Sequence, residues 1–338
     1  TPGTATRTSC SPSPTQRLAA SADSGNGVSA TLDWSHELLP DAERLALNTA
    51  PDHAGGNIAI VKSLPRVGAW LAGTDPDWIH AHYLTSHGSL AWAAKLGWRL
   101  RAQIAGSAWG SDILVTPNQG SAWRWMTSKA LRSCAVTTSD SHFMAERMRE
   151  LGAREVMVFP FGLEAMPKQN AKKQPWLCFA NRGLEPIYRP QLVIDAFARI
   201  AAAQPEARLV VANDGSLRAA LEADVAARGL ADKVSFVGRL DATAQAAHYA
   251  RSTWFLSLPE SDSVSVSVLE AMAHGCVPLL SDLPANREVI GDSARGLIVG
   301  SPDDLPARMA ALDTTRLAAS NRDWIAANGL FEPHVQRF

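Results

Sequence analysis

From residue 58 onward, apolar positions fall into two alternating kinds of segment: short unbroken runs that mark buried strands, and longer stretches with helical spacing. Ile58–Leu71 reads as a helix and Asp77–His82 as a short buried strand. Ser86–Leu96 follows as a helix, and Arg101–Ala105 as a strand ending in the loop Gly106–Asp112. Ala122–Arg132 reads as a helix, Ala135–Thr138 as a strand, and Ser141–Leu151 as a helix capped by Ser139 or Asp140. Val156–Phe159 is one more strand. Residues 164–175 (EAMPKQNAKKQP) are polar, charged and without apolar period, which predicts a linker. The alternation then restarts with strands at Trp176–Ala180, Arg208–Ala212, Val234–Val237, Thr253–Leu256, Val277–Ser281 and Gly296–Val299. Helices are expected between and after them at Pro190–Gln204, Ser216–Arg228, Ala242–Arg251, Val264–His274, Ala285–Ile290 and Asp304–Ala311. The tail, Arg316–Phe338, reads as one or two amphipathic helices. Strand alternating with helix predicts an α/β protein whose parallel sheets are covered on both faces.

Composition narrows this picture. A chain of 338 residues is long for one core and comfortable for two α/β domains. With 46% hydrophobic and 19% charged residues it suits a soluble globular protein. A formal net charge of −1 offers no global field for nucleic acid or an anionic membrane. No apolar run approaches the roughly 20 residues of a membrane span. Cys10, Cys134, Cys178 and Cys276 lie far apart and read as reduced thiols, with no zinc site or disulfide framework. Together these predict a cytoplasmic protein.

Residues 1–30 are rich in Ser, Thr, Pro, Gly and Ala, lack the apolar core of a signal peptide, and are expected to be poorly ordered. The absence of an initial Met predicts a fragment or a processed form. The first domain, residues 31–168, shows no clear opening strand or Gly-rich loop. Ala54–Gly56 reads either as an ordinary turn or as a phosphate or acceptor loop.

The chemistry concentrates in residues 258–278 (LPESDSVSVSVLEAMAHGCVP). An apolar strand ends in a polar turn carrying Asp262, and a helix begins near Val264. Free N–H groups and the dipole at such a helix start suit a phosphate, and Ser263 and Ser265 add hydroxyls. Glu270 lies about two turns inside the helix, which Gly275 ends. In open α/β sheets ligands bind at the carboxyl ends of strands, where this turn falls.

This segment resembles the acid-x7-acid motif of glycosyltransferase family 4, whose members have the GT-B fold: two Rossmann-like domains with parallel sheets and a cleft between them. Asp262 stands where the family usually carries its first Glu, and Glu270 matches the second. The resemblance implies that Glu270 accepts hydrogen bonds from ribose hydroxyls and that Asp262 touches donor-sugar hydroxyls. Residues 179–189 (FANRGLEPIYR) resemble the segment supplying cations to the diphosphate, with Arg182 matching the first and Arg189 nearest the second. Residues 212–216 (ANDGS) resemble a Gly-x-Gly turn, with Asn213 in place of the first Gly and Gly215 as the second. Residues 234–239 (VSFVGR), with Gly238, resemble the strand and loop beside the base, and residues 281–288 (SDLPANRE) the closing segment ending in Glu288. The match covers roughly residues 176–312. It implies a donor domain at residues 175–318, donor contacts at Arg182, Arg189, Asn213, Gly215, Gly238, Asp262, Ser263, Val264, Ser265 and Glu270, and catalytic roles for Asp262, Glu270 and Arg182.

The first half resembles the family less sharply. Residues 76–82 (PDWIHAH) look like its PDxxHxH strand, and Trp109 replaces the His of a His-Gly-x-Asp loop. Residues 160–164 (PFGLE) resemble the closing turn. His82, Gly110 and Asp112 are therefore candidates for the sugar or acceptor side, although His80 and His82 also read as a satisfied strand pair. Trp123–Met126 with Lys129 and Arg132 reads either as helix packing or as a peripheral membrane contact, which would place the protein at the inner face of the cytoplasmic membrane. Residues 319–338 resemble the family's C-terminal helix, which returns to the first domain.

The implied activity is metal-independent, retaining transfer of a sugar from a UDP- or GDP-linked donor to a glycan or lipid-linked acceptor. No cofactor and no nucleic-acid partner are expected. Two other readings remain: a truncated, non-catalytic nucleotide-sugar-binding protein, and a nucleotide-sugar 2-epimerase.

Overall fold

The computed structural model describes residues 56–168, 171–291 and 293–336. The expectations for residues 1–30, Cys10, an opening strand, Ala54 and Gly55 lie outside these residues. Gly56 begins the first described helix, α1 (Gly56–Thr74).

The first domain continues through β1 (Trp78–His82), a π-helical turn (Tyr83–Gly88), α2 (Ser89–Trp98), β2 (Gln103–Ser107), α3 (Ser111–Leu114), α4 (Ser121–Ser133), β3 (Val136–Ser139), α5 (His142–Glu150) and β4 (Val156–Val158). Its four described strands are parallel and lie in sequence order. Most boundaries lie one to three positions from those of the sequence pattern, and two differences have a visible cause. β2 sits two positions later than expected because pairing sets it: the Gln103 N–H donates to the Asp77 carbonyl at 2.8 Å, and Gln103 registers with Trp78. The cap of α5 is Ser141, whose hydroxyl oxygen accepts the Met144 N–H, rather than Ser139 or Asp140.

The second domain comprises β5 (Gln174–Ala180), α6 (Pro190–Ala203), β6 (Arg208–Ala212), α7 (Arg218–Ala227), β7 (Val234–Gly238), α8 (Ala242–Arg251), β8 (Ser252–Ser257), α9 (Val266–Ala273), β9 (Val277–Ser281), α10 (Pro284–Ile290), β10 (Leu297–Val299) and α11 (Leu305–Ala310). Its six parallel strands run β10-β9-β8-β5-β6-β7. Every residue of β8 is buried, as a central parallel strand covered on both faces requires. Phe179, Phe197, Trp254 and Phe255 fill the two layers around it. Full burial of each such side chain contributes roughly 1.5–3 kcal/mol.

This strand order positions the site. The chain leaves β5 toward β6 and β7, then returns to place β8 on the other side of β5. The loops after β5 and β8 therefore diverge from neighbouring carboxyl ends and leave a crevice at the point of reversal.

Two last helices follow, α12 (Thr314–Asn328) and α13 (Glu332–Val335). Between them the chain meets residues 159–163. Leu163 N–H donates to the Gly329 carbonyl at 2.8 Å, and Phe331 N–H to the Leu163 carbonyl at 2.9 Å. The His334 ring stacks on Phe159 at 5.7 Å. Cys134, Cys178 and Cys276 are free and buried. Among the described residues no helix is long and apolar enough to cross a membrane.

Candidate functional site

Arg182 follows β5 and Asp262 follows β8. Although 80 positions apart, they meet at the crevice, with Arg182 Nη2 2.7 Å from Asp262 Oδ2. Arg182 Nη1 also donates to the Ser265 hydroxyl at 2.7 Å, and its guanidinium lies 4.5 Å over the Tyr188 ring. One planar cation thus joins the acid, the helix start and an aromatic face, a geometry a lysine does not reproduce. Burial raises the Asp262 pKa despite the opposing charge of Arg182.

Glu270 projects from the second turn of α9. Its Oε2 accepts both Gln245 Nε2 and the Tyr249 hydroxyl, each at 3.0 Å. Gln245 and Tyr249 stand one turn apart on α8 and so reach the same oxygen. The Tyr249 hydroxyl in turn accepts Asn181 Nδ2 at 2.7 Å. Burial raises the Glu270 pKa, and the two donors oppose that shift. Tyr249 titrates well above its ordinary value, through burial and then the Glu270 charge, and remains a donor.

Gly215 is required by close approach. A Cβ on Gly215 would lie 2.5 Å from the Leu184 carbonyl oxygen. Asn213 takes the left-handed conformation (φ 80°) where the resembled turn has glycine, and its N–H donates to the Gly238 carbonyl at 2.6 Å. Gly238 is itself left-handed, at φ 72°. Arg189 has a different engagement from the one its place in the sequence suggests. Its Nε and Nη2 donate to the carbonyls of Leu258 and Pro259, at 3.0 and 2.7 Å. What it supplies here is the position of the loop that carries Asp262.

On the first domain, the Trp109 indole N–H donates to His82 Nδ1 at 3.2 Å, and its ring stacks against Tyr83 and Phe161. Burial, reinforced by His80 and His87, lowers the His82 pKa to about 3, so the imidazole is neutral. His80 Nε2 pairs with the Ser107 hydroxyl at 2.8 Å. Asp112 is buried, and its two oxygens accept the N–H groups of Leu84 and Trp109, at 2.7 and 3.0 Å. Its carboxylate pins the turns after β1 and β2. Gly110, at φ 112°, brings its backbone against Ser263, and a Cβ there would lie 3.6 Å from the Ser263 Cβ.

A cavity of about 260 Å³ opens beside Asp262, between Ile113, Arg124, Phe143 and Arg147 of the first domain and Leu283 of the second.

The family profile for glycosyl transferases group 1 matches residues 163–325, and that for the glycosyl transferase 4-like domain matches residues 19–162. The chain belongs to the group 1 glycosyl transferases. It is 27% identical over 279 residues to a GDP-mannose-dependent α-mannosyltransferase of Mycolicibacterium smegmatis, covering 78% of this chain and 71% of that protein. It is 29% identical over 138 residues to the GDP-mannose:cellobiosyl-diphosphopolyprenol α-mannosyltransferase of Xanthomonas oryzae pv. oryzae, covering 38% of this chain and 35% of that protein. Among solved structures, Anabaena HepE in complex with UDP shares the fold at a TM-score of 0.69 and 15% identity, over 93% of this chain and 88% of that one. The two parallel sheets are those of the GT-B architecture.

In this group 1 transferase the fold brings together Arg182, Asp262 and Ser265 at one crevice, with Glu270 in the second turn of the helix that starts there. Gln245 and Tyr249, which hold Glu270, and Asn181, which donates to Tyr249, were not among the candidates in the sequence. The helical spacing of Gln245 and Tyr249 was the available signal. The sequence pattern offered Asp140 no role beyond a helix cap. The Asp140 carboxylate instead crosses to the second domain, accepting the Ser263 hydroxyl and, at 3.1 Å, the Val264 N–H.

Burial raises the Asp140 pKa to about 7. An unfolded Asp ionises near ~4, so any stability from this group is present below that pH and is lost as pH rises through 7. Asp140→Asn removes the titration. Between pH 5 and pH 7 the melting stability of that variant, relative to the native chain, is expected to improve by up to about 1.4 kcal/mol per pH unit. A difference that stays flat across these pH values would contradict the buried, proton-linked carboxyl.

Proposed function

We propose that the chain transfers a sugar from a nucleoside diphosphate sugar to a hydroxyl of a glycan or lipid-linked acceptor, with retention of configuration and without a metal ion. The observation that carries this reading is the contact of Arg182, from the loop after β5, with Asp262 and Ser265, from the loop after β8, at the start of the helix whose second turn carries Glu270. Glu270 accepts the ribose hydroxyls, using an oxygen already oriented by Tyr249 and Gln245. Arg182 and the N–H groups at the α9 start hold the diphosphate and stabilise its charge as it leaves. Asp262, freed from Arg182, meets the hydroxyls of the sugar. The leaving phosphate helps deprotonate the acceptor on the same face. His82, Gly110 and the cavity beside Asp262 form the acceptor side. GDP-mannose is favoured in a donor panel by the names of two relatives, and UDP sugars belong in it because a structural neighbour binds UDP. The exposed Trp125, edge-on to Trp92 with Lys129 5.7 Å over its ring, suits a peripheral membrane contact.

Thermal-shift titration against UDP- and GDP-sugars tests the donor. A cognate donor at a hundred times its Kd adds about 2.7 kcal/mol and raises the midpoint by several degrees. A panel in which no nucleotide sugar moves the midpoint would overturn the reading. Incubation of the donor without acceptor separates transferase from 2-epimerase: slow hydrolysis is expected, and accumulation of an isomer would favour the epimerase.

A further inference from the structure

Asp140 lies one residue beyond β3 of the first domain, and its carboxylate is taken up by the second. One oxygen accepts the Ser263 hydroxyl and the other the Val264 N–H, while the Ser141 and Ser263 hydroxyls lie 3.1 Å apart. The reverse exchange occurs nearby. Glu288, on α10 of the second domain, accepts the N–H groups of His142 and Phe143 at the start of α5, at 2.9 and 2.8 Å. Each domain lends a carboxylate to a helix start of the other.

The reading of residues 262–270 as a donor site, on which this inference rests, counts the Ser263 hydroxyl and the Val264 N–H among the donor's contacts. We propose that Asp140 is a donor-gating residue: its carboxylate occupies hydrogen-bond donors before α9 that an incoming nucleoside diphosphate sugar takes, so the donor is admitted only as the Asp140–Ser263 contact parts.

Three features support this. The occupant is a carboxyl group, placed where N–H groups and helix dipole favour an acidic oxygen acceptor. The rest of the turn is also internally paired. Ser265, the N-cap of α9, makes no side-chain cap bond within its own helix, and its hydroxyl accepts from Arg182, which also holds Asp262. A ligand must therefore exchange with protein partners. Finally, the contact holds a carboxyl group that is only 6% exposed and is further disfavoured as an anion by the neighbouring Asp262 charge. Parting the contact returns that carboxylate to water, which offsets the loss of its two hydrogen bonds.

The test is calorimetric titration of GDP-mannose and UDP-glucose into the native chain, Asp140→Ala and Asp140→Asn at pH 8. A gate that leaves only a minor fraction of molecules competent weakens apparent affinity by that fraction. Asp140→Ala is therefore expected to bind the cognate donor about tenfold more tightly than the native chain. Asp140→Asn, which keeps the shape and one acceptor but loses the charge, gains less in the same direction and carries the test if the Ala variant does not fold. Unchanged or weakened affinity in a folded variant overturns the gate while leaving the donor site standing. Failure of every chain to bind either nucleotide sugar overturns the donor reading, and the gate with it.

Discussion

Arg182→Ala is expected to lower turnover at saturating donor by about 10²–10³-fold, the effect of removing one fixed donor aimed at developing charge, about 2.7–4 kcal/mol. The residue sits at the end of β5 with its fork already oriented by Asp262 and Ser265, so its position for the diphosphate needs little reorganisation. Arg182→Lys keeps the charge but cannot hold both partners with a planar fork, and an intermediate loss is expected. Removing the guanidinium also leaves Asp262 half-buried without its cation, pushing its pKa further up. Rate at saturating donor is the decisive measurement, because a folding defect lowers the active fraction without separating Lys from Ala. Native turnover in Arg182→Ala would remove the residue from the mechanism.

Glu270→Ala is expected to raise the donor Kd by about 10- to 100-fold. Hydrogen bonds to a charged acceptor are worth about 1.5–3 kcal/mol, and each 1.4 kcal/mol is about tenfold in affinity. The same change deprives the buried Tyr249 hydroxyl of its acceptor, so the variant also melts earlier. Calorimetric titration with the donor separates the two effects, since a purely structural loss lowers the number of binding sites and leaves Kd in place. Glu270→Gln retains an acceptor for Tyr249 and is expected to fall between the two. Unchanged donor affinity and rate in Glu270→Ala would sink the assignment of this acid to the ribose.

The local content of the structure was legible in the chain. Helical and strand periods are properties of neighbouring residues, so Arg208–Ala212, Ala242–Arg251 and Val277–Ser281 are as the pattern predicts. The polar turn, Asp262 and Glu270 on one strand-turn-helix segment were visible for the same reason. The α/β class and the family likeness followed from the order of such segments.

Tertiary structure alone decided the partners. Nothing local says that β8 lies beside β5, and only that order puts Arg182 against an acid 80 positions away. Ser139, Asp140 and Ser141 are all competent helix caps by residue type. Packing of the second domain against this loop assigned the cap to Ser141 and turned Asp140 to Ser263 and Val264. Arg189 reads in the sequence as a second cation for the diphosphate, and in the fold its guanidinium donates to the carbonyls of Leu258 and Pro259. A sequence carries the chemistry each side chain can offer. Which of those hydrogen bonds is made depends on where long-range burial brings the unpaired groups, because a buried donor or acceptor takes the partner that the fold sets beside it.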